Sequence, residues 1–340
     1  MSIMEVDRFK VGPCRVSEMQ QLRTLLNKVF MEERNATGDL FTFAPLLYTE
    51  ENIENLRVVR ERKRIVGHAG ILPRSIRWRG QVFEVGLVGG VCARRDLRGL
   101  GVGTLVMEDV AQRMEELELD FGVLWTGSPG FYQRLRWRLA GGVVLMGIQE
   151  AMGQSSTRHE IMRIEETPFG PEDCYRLHVK AARHEVVRTP EETRTLMTAE
   201  HVDTLIGLEG GRLAGYATST GRVIQEIEGH AEVCMSLIDR GASMGVRRCV
   251  FPLNDPRIAA IEGTLPVHVD RRPLGMVLII NRTTLVEKIV EETGISAEEL
   301  GIGLTASDEM VMMGIFGGPE RQPEDEPLPL DIHVSYLDHV

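Results

Sequence analysis

Cysteine and long apolar runs are scarce in this sequence. Its five cysteines form an odd set without a CxxC pair among 340 residues, which argues against a disulfide framework and against a zinc site. No run approaches the roughly 20 apolar residues that span a bilayer. The first residues, MSIMEVDRFKVG, lack the apolar core of a secretory signal. We therefore expect a cytoplasmic protein with reduced cysteines, no bound metal and no membrane partner.

Positive charge is also in deficit, since the net charge is −11. An acidic chain disfavours nucleic acid as a partner and would attract a cationic substrate. The deficit is uneven: residues 57–103 contain eleven Lys and Arg against three Asp and Glu, so this window carries +8 and the remainder −19. A basic segment in an acidic chain suggests a local anionic ligand. Exposed charges on a strand hairpin explain the residues before Arg94 equally well.

Helical and extended patterns alternate through the first part of the chain. Apolar spacing predicts helices over residues 15–30, 101–119 and 129–137, and strands over 56–60, 65–72, 76–78, 82–93, 121–126 and 141–148. This order is α/β in character. A polar linker follows, so we place the end of a first domain at residue 150.

The coarse order of elements repeats once, and a smaller piece follows. The repeat contains a helix, a strand hairpin, a second helix and a strand, but no Arg-rich glycine turn. The last piece contains one strand, two short helices, a Pro-rich acidic linker and a partly apolar tail. With 340 residues, two or three domains are expected. The sequence predicts three, at 1–150, 151–265 and 266–340.

The most informative segment is RGLGVG, residues 98–103, between a predicted strand and a predicted helix. Glycines let the backbone turn tightly and aim successive N–H groups at one point. The start of the helix adds unpaired N–H donors and the positive end of its dipole. The GxGxxG spacing of a dinucleotide fold and the Lys-Ser/Thr pair of a P-loop are absent. We predict pyrophosphate binding by Arg98, Gly99, Leu100, Gly101, Val102, Gly103 and Thr104.

Two motifs in this order resemble the GNAT acetyltransferases. VGGVCARRDLRGLGVGTLVMEDV resembles their motif A, in which Q/R-x-x-G-x-G/A binds the pyrophosphate of acetyl-CoA, and Arg98, Gly101 and Gly103 occupy the fixed positions. FYQRLRW, about thirty residues on, resembles their FYxRxGF segment. Tyr132 matches the tyrosine near the thiol leaving group, whereas Arg136 stands where the family has glycine. That departure puts the geometry of the helix end in question.

The wider layout resembles bacterial tandem-GNAT enzymes of the enhanced intracellular survival type. The resemblance implies a mixed-sheet α/β fold with a catalytic GNAT domain, a second GNAT-like domain lacking a working CoA site, and a C-terminal sterol-carrier-like piece. It further implies an acetyl-CoA-dependent N-acetyltransferase, in which a primary amine attacks the thioester directly in a ternary complex. The acceptor would be a small-molecule or peptide amine, and a homo-oligomer is compatible with the sequence.

The resemblance also implies roles for individual residues. Tyr132 would protonate the departing thiolate, and backbone N–H groups near Val91, Cys92 and Ala93 would face the thioester carbonyl and the pantetheine arm. The general base stays open at this point. The family's glutamate position, thirteen residues before Arg98, is Val85, and the adjacent Glu84 faces the other side unless the strand twists.

Other candidates for the base lie in the C-terminal tail. In the enhanced intracellular survival enzymes the terminal carboxylate enters the active site, so the Val340 carboxylate, Asp338 or His339 are candidates, as is a relayed water. Because no base is evident, a non-catalytic acyl-CoA-binding regulatory module is the main alternative function. A relative of the tandem GNATs that ligate amino acids to thiols is a third hypothesis, which no residue demands.

Overall fold

The computed structural model describes residues 8–149, 159–181, 185–303, 305–317, 330, 333–335, 338 and 340. Within these residues, none of the helices combines the length and the apolar character that crossing a bilayer requires. Two mixed sheets organise the chain.

The strands of the described residues, in chain order, are β1 (Phe9–Pro13), β2 (Leu56–Glu61), β3 (Arg64–Trp78), β4 (Gln81–Ala93), β5 (Phe121–Leu124), β6 (Arg138–Ala140), β7 (Val143–Ile148), β8 (Glu160–Arg163), β9 (Val202–Glu209), β10 (Arg212–Thr220), β11 (Val223–Gly229), β12 (Arg248–Pro252), β13 (Val267–Arg272) and β14 (Gly275–Ile279). The α-helices are α1 (Met19–Phe30), α2 (Leu40–Phe43), α3 (Val102–Glu116), α4 (Pro129–Gln133), α5 (Pro171–Lys180), α6 (Pro190–Met197), α7 (Ala231–Ser243), α8 (Arg257–Glu262), α9 (Arg282–Thr293) and α10 (Asp308–Phe316).

Each sheet contains seven strands with one parallel pair. The first has the order β1-β2-β3-β4-β5-β14-β6, and the second β13-β7-β12-β11-β10-β9-β8. The parallel pairs are β4 with β5 and β11 with β12, and a helix crosses over between the strands of each pair. The two units therefore repeat the same antiparallel-strands, helix, parallel-strand order, which confirms the predicted mixed-sheet α/β fold with two tandem units.

The two units exchange strands, which corrects the predicted domain boundaries. β7 precedes residue 150 but pairs with β12 and β13 in the second sheet. Reciprocally, β14 follows residue 265 but lies between β5 and β6 in the first sheet. Sequence periodicity identifies both strands correctly but carries no information on their partners. Dividing the chain at residue 150 would therefore separate β7 from its partners β12 and β13. Dividing it at residue 265 would likewise separate β14 from its partners β5 and β6.

The predicted third domain is not a separate unit in the described residues. β13 and β14 complete the two sheets, and α9 and α10 pack on the first sheet through Leu285, Ile289 and Ile315. The ring of Phe316 lies edge-on to that of Phe121, with centroids 4.9 Å apart. This helical layer covers the sheet face opposite α3, so α9 and α10 close the first core, and the described residues after 266 form no separate sterol-carrier-like sheet.

Helix α3 forms the other face of the first unit. Val106, Val110 and Met114 recur at four-residue spacing and are fully buried against the sheet. The helix begins after Gly101, whose φ of +82° ends the preceding turn. The glycine turn between β4 and this helix therefore sets where α3 begins.

A buried group of ionised side chains lies where the two units meet the tail. Burial alone would lower the pKa of His178, but the carboxylates of Glu226, Glu228 and Glu185 raise this pKa to about 9. Its Nδ1 lies 3.3 Å from Glu228 Oε1, and its Nε2 lies 3.5 Å from Glu185 Oε1. The His178 imidazolium therefore offsets buried negative charge at neutral pH.

This raised pKa predicts a pH-dependent stability. Protonated His178 stabilises the fold fully below its unfolded pKa of about 6.5, and the contribution is lost as pH rises through about 9. Between pH 6.5 and 9.5 we expect the free energy of unfolding to fall by up to about 3 kcal/mol. Urea titrations of the wild type and of His178→Gln measure this, and the variant should lack that part of the decrease. Equal decreases in both proteins would contradict the assignment.

Candidate active site

The site begins where β4 and β5 diverge. Their parallel pairing runs from Val85 opposite Phe121 to Val88 opposite Leu124, and then stops, whereas β4 continues to Ala93. Residues 89–93 therefore have no strand partner on the β5 side. Their amide and carbonyl groups line a V-shaped opening, which is the kind of edge that an extended ligand can pair with.

A bulge in β4 shapes this opening. The register with β3 shifts between His68 and Gly70, opposite Cys92 and Gly89, so β4 has one additional residue there. Gly90 has a φ of +61°, and a Cβ at this position would lie 2.2 Å from the Tyr48 hydroxyl. Glycine is therefore required at Gly90. The carbonyl oxygen of Gly90 lies 2.9 Å from His68 Nδ1, and this hydrogen bond to β3 holds the bulge in place.

His68 is a structural residue rather than an acid–base group. Its side chain is fully buried, and burial lowers the pKa of His68 to about 4. Since Gly90 presents an acceptor, Nδ1 carries the proton of the neutral ring. The imidazole is therefore neutral at physiological pH and holds β4 in its bulged form.

The glycine turn forms the outer end of the cleft. Gly99 and Gly101 have φ of +84° and +82°, which side chains rarely adopt. The Leu105 N–H donates to the Gly101 carbonyl oxygen over 2.9 Å and closes the first turn of α3. The amides of Val102 and Gly103 therefore lie in the first turn of the helix, where N–H groups lack intrahelical partners. Unpaired donors at a helix N-terminus are the kind of group that binds anions.

These elements enclose a cleft of about 800 Å³. Of the ten residues predicted to bind the cofactor, Leu100 alone lies outside the lining, because its side chain is exposed to solvent. A Cβ on Gly103 would lie 3.2 Å from the Phe131 ring, so the cradle formed by the turn accepts a side chain there only if that ring shifts. The residues present thus fit a diphosphate at the turn and an extended arm along β4. The lining residues from the predicted set are Val91, Cys92, Ala93, Arg98, Gly99, Gly101, Val102, Gly103 and Thr104.

Arg98 lies at the rim of the cleft. Its guanidinium donates to the Ala93 carbonyl oxygen at 3.3 Å and to Glu33 Oε2 at 2.8 Å, and the side chain stays half exposed. The partner Glu33 orients the arginine but also opposes an approaching anion. Binding a diphosphate therefore requires Arg98 to turn from Glu33 or to share its donors.

The other arginines of the basic window that have described acidic partners are structural. Arg57 pairs with Asp109 at 2.5 Å and Arg60 with Glu18 at 2.6 Å. Arg74 pairs with Glu192 in the second unit. These pairs tie strands to helices, so the charges of these three arginines are offset by their acidic partners.

Tyr132 lies inside the cleft, on α4. The side chain is 8% exposed, and burial raises the pKa of Tyr132 above its ordinary value while a hydrogen bond with Thr126 opposes the rise. The phenol is therefore protonated at neutral pH and available as a donor. Arg136 follows α4 with a φ of +69°, so the arginine adopts the left-handed conformation that glycine supplies more easily.

The chain end enters the same cleft. Val340 lines it, and a Cβ built on Gly89 would lie 2.3 Å from the Val340 carboxyl carbon. The terminal residue therefore lies against the strand at the point where β4 and β5 separate. Asp338, a second candidate base, is buried in an ion pair with Arg188 instead. His339 lies outside the described residues.

The structure does not bring Glu84 into the cleft. Glu84 pairs with Ser75 in regular register, and the Ser75 hydroxyl donates to its carboxylate at 2.9 Å. The bulge lies at Gly90, beyond Glu84 in the strand. Strand alternation is therefore undisturbed at Glu84, and the hypothesis of a twist that turns it inward is corrected.

Sequence reasoning missed several residues of the site. Thr126 bonds Tyr132, and Phe131 closes the cradle against Gly103. The pair Gly89-Gly90 inside a strand was an available signal, because glycine within a strand marks a bulge or a close approach. Thr126 has no comparable signal, since a single threonine after a strand is common.

Comparison with known proteins identifies the fold and the first unit. Residues 10–140 match the family model of the acetyltransferase (GNAT) domain. No curated protein matches the chain in sequence.

Solved structures of similar fold include the following three. A GCN5-related N-acetyltransferase from Kribbella flavida is 15% identical with a TM-score of 0.59, covering 80% of this chain and 71% of that one. One from Anabaena variabilis is 18% identical with a TM-score of 0.60, covering 84% and 75%. Eis1 from Mycobacterium abscessus is 12% identical with a TM-score of 0.57, covering 82% and 75%. Residues 10–140 therefore match the acetyltransferase (GNAT) domain, and the chain shares its fold with the GCN5-related N-acetyltransferases and with Eis1.

Proposed function

We propose that the protein transfers an acetyl group from acetyl-CoA to a primary amine by direct attack in a ternary complex. The observation that carries this proposal is that four features with separate chemical roles lie around the same cleft. An unpaired strand edge, a helix N-terminus behind a glycine turn, a protonated phenol and a chain terminus all face one cleft of about 800 Å³. Such an arrangement suits a long phosphorylated thioester at one end and a nucleophile at the other.

The turn and the strand edge would bind the co-substrate. Amides of the turn at Gly101 and of the first turn of α3 would receive the diphosphate, and Arg98 would add a charged donor. The pantetheine arm would pair with the open edge of β4 as an additional strand. Acetyl-CoA supplies the activated acyl group, and the chain supplies N–H donors near Val91 for the carbonyl oxygen on which charge develops.

The Val340 carboxylate is the best placed base in a polypeptide that ends at this residue. An amine nitrogen becomes cationic and acidic as it bonds to the acyl carbon, and an adjacent carboxylate can then accept its proton. The same carboxylate would attract a cationic amine into the cleft. Glu84 and Asp338 are both engaged elsewhere, with Ser75 and Arg188.

Tyr132 would donate a proton to the departing sulfur. Because burial raises the pKa of Tyr132, the hydroxyl stays protonated over the neutral range. Tyr132→Phe keeps the ring but removes the donor, so we expect kcat to fall on the order of 30-fold with little change in KM for acetyl-CoA. Steady-state kinetics measure both constants. A variant with wild-type kcat would exclude this role.

Release of CoA thiol with a panel of amines tests the function as a whole. Polyamines, aminosugars and peptides with free lysine or N-terminal amines represent small and peptide acceptors, and matched alcohols serve as negative controls. We expect amine-dependent thiol release and acetylated product by mass spectrometry. Tight CoA binding without turnover on any amine would contradict the enzyme and favour the regulatory module.

A further inference from the structure

We propose that Arg188, held by Glu226 of the second unit, binds Asp338 and thereby positions the Val340 carboxylate in the cleft. The inference rests on the proposed function of Val340 as base. Arg188 and Asp338 are positioning residues, since neither lines the cleft where Val340 lies. The second unit would thus contribute to catalysis in the first without touching the reacting atoms.

The clamp is bidentate and buried. Arg188 Nε donates to Asp338 Oδ1 at 2.9 Å, and Nη2 donates to Oδ2 at 2.6 Å. The side chains of Arg188 and Asp338 are 1% and 2% exposed. A two-point contact of this kind fixes the orientation of the carboxylate as well as its distance. Asp338 lies two residues before Val340, so its position limits where the chain end can reach.

Glu226 on β11 fixes the other side of Arg188. Arg188 Nη1 and Nη2 donate to Glu226 Oε1 and Oε2 at 3.2 and 2.6 Å, and the Tyr216 hydroxyl donates to Oε1 at 2.6 Å. The second sheet therefore holds the guanidinium through contacts that do not involve the tail. One cation shared by two buried carboxylates makes removal of Arg188 costly for folding, because both acids would lose their partner.

The backbone around Arg188 is attached to the first unit. The Val187 N–H donates to the Ser75 carbonyl oxygen at 2.8 Å, and the Arg77 N–H donates to the Glu185 carbonyl oxygen at 3.1 Å. This segment therefore lies along β3, beside the strand that forms the cleft. The clamp connects three parts of the chain at fixed geometry: β3, β11 and the tail.

A chain terminus needs such a clamp to act as a base. Ends of chains are commonly poorly ordered unless they are tied down, and a general base loses efficiency when its geometry is loose. Leu330 and Val334 are buried in the first core and hold the earlier part of the tail. Asp338 is the described anchor nearest to Val340, so its loss should free the carboxylate without removing it.

The test compares Asp338→Ala and Asp338→Asn with Asp203→Ala, all in polypeptides that end at Val340. Asp203 pairs with Arg163 at the same 2.9 Å and both side chains are exposed, so this variant controls for the loss of an arginine–aspartate contact away from the tail. Kinetics give kcat and KM, and native-state release of Val340 by a carboxypeptidase reports the freedom of the chain end independently of activity.

For Asp338→Ala we expect kcat to fall roughly 10-fold, KM for acetyl-CoA to stay within about twofold, and Val340 to be released faster. Asp338→Asn keeps hydrogen-bonding atoms and should be intermediate, and it replaces the alanine variant if that one fails to fold. Folded Asp338 variants that match Asp203→Ala in kcat and in release rate would overturn the inference. An inactive wild type would refute the proposed function, and the release rates alone would then decide whether Asp338 holds the tail.

Discussion

Converting the Val340 carboxylate to a primary amide is expected to lower kcat by roughly 100- to 10,000-fold, which is the usual contribution of a general base. The amide is nearly isosteric, so the chain end should keep its place against Gly89. It cannot accept a proton and no longer attracts a cationic amine. KM for acetyl-CoA should change little, because the turn at residues 98–103 is untouched.

Semisynthesis provides the matched control. Ligating the same C-terminal peptide with a free carboxylate yields a protein that differs from the amide by one functional group. Steady-state kinetics of the two products isolate the charge from any effect of ligation. If the amide retained more than about half of the control's kcat, the base would be another group or a water molecule, and the role of Val340 would be refuted.

Gly101→Glu is expected to weaken CoA binding by on the order of 100-fold or more, equivalent to about 3 kcal/mol. The added side chain projects from a turn whose φ is +82° and places a carboxylate where a diphosphate must bind. Two negative groups at this position repel each other. Isothermal titration calorimetry with CoA measures the loss.

Gly211→Glu is the control that separates the backbone strain of the Gly101→Glu substitution from the electrostatic effect of its carboxylate. Gly211 also has a positive φ, of +74°, with no atom within 4 Å of an added Cβ, and it lies in the β9–β10 hairpin of the second unit. The same substitution there should cost comparable stability and leave CoA affinity unchanged. Equal losses of affinity in both variants would show that the Gly101 effect is one of folding.

The local features of the site could be predicted from the sequence. A glycine-rich turn between a strand and a helix follows from residue type alone, since φ above zero and unpaired N–H groups are local properties. Helix α3 and strand β4 follow from periodicity in the same way. The fold class was accessible because the units repeat the same element order along the chain.

Long-range pairing could not be predicted. The patterns of β7 and β14 identify strands, but which sheet each joins depends on partners more than a hundred residues away, as in the pairing of Met276 with Leu124. The domain boundaries at 150 and 265 failed for this reason. The buried ion pair of Arg188 with Asp338 joins residues separated by 150 positions and leaves no sequence pattern.

Whether each candidate base lies in the cleft also depends on the folded geometry of the chain. Side-chain alternation along β4 predicts that Glu84 faces away from the cleft unless a bulge intervenes. The bulge lies at Gly90, where two consecutive glycines within a strand indicate it. The Val340 carboxylate was a candidate base only because of the family resemblance. Nothing in the composition of a C-terminal tail specifies which cleft the tail reaches.

The central claim is that main-chain amides at the turn after β4 bind the diphosphate of CoA, and calorimetry tests it most directly. We expect the protein to bind CoA with measurable heat, at micromolar affinity of about −8 kcal/mol, and to bind pantetheine, which lacks the diphosphate, at least roughly 100-fold more weakly. Absence of heat with CoA, or equal affinity for CoA and pantetheine, would contradict the claim.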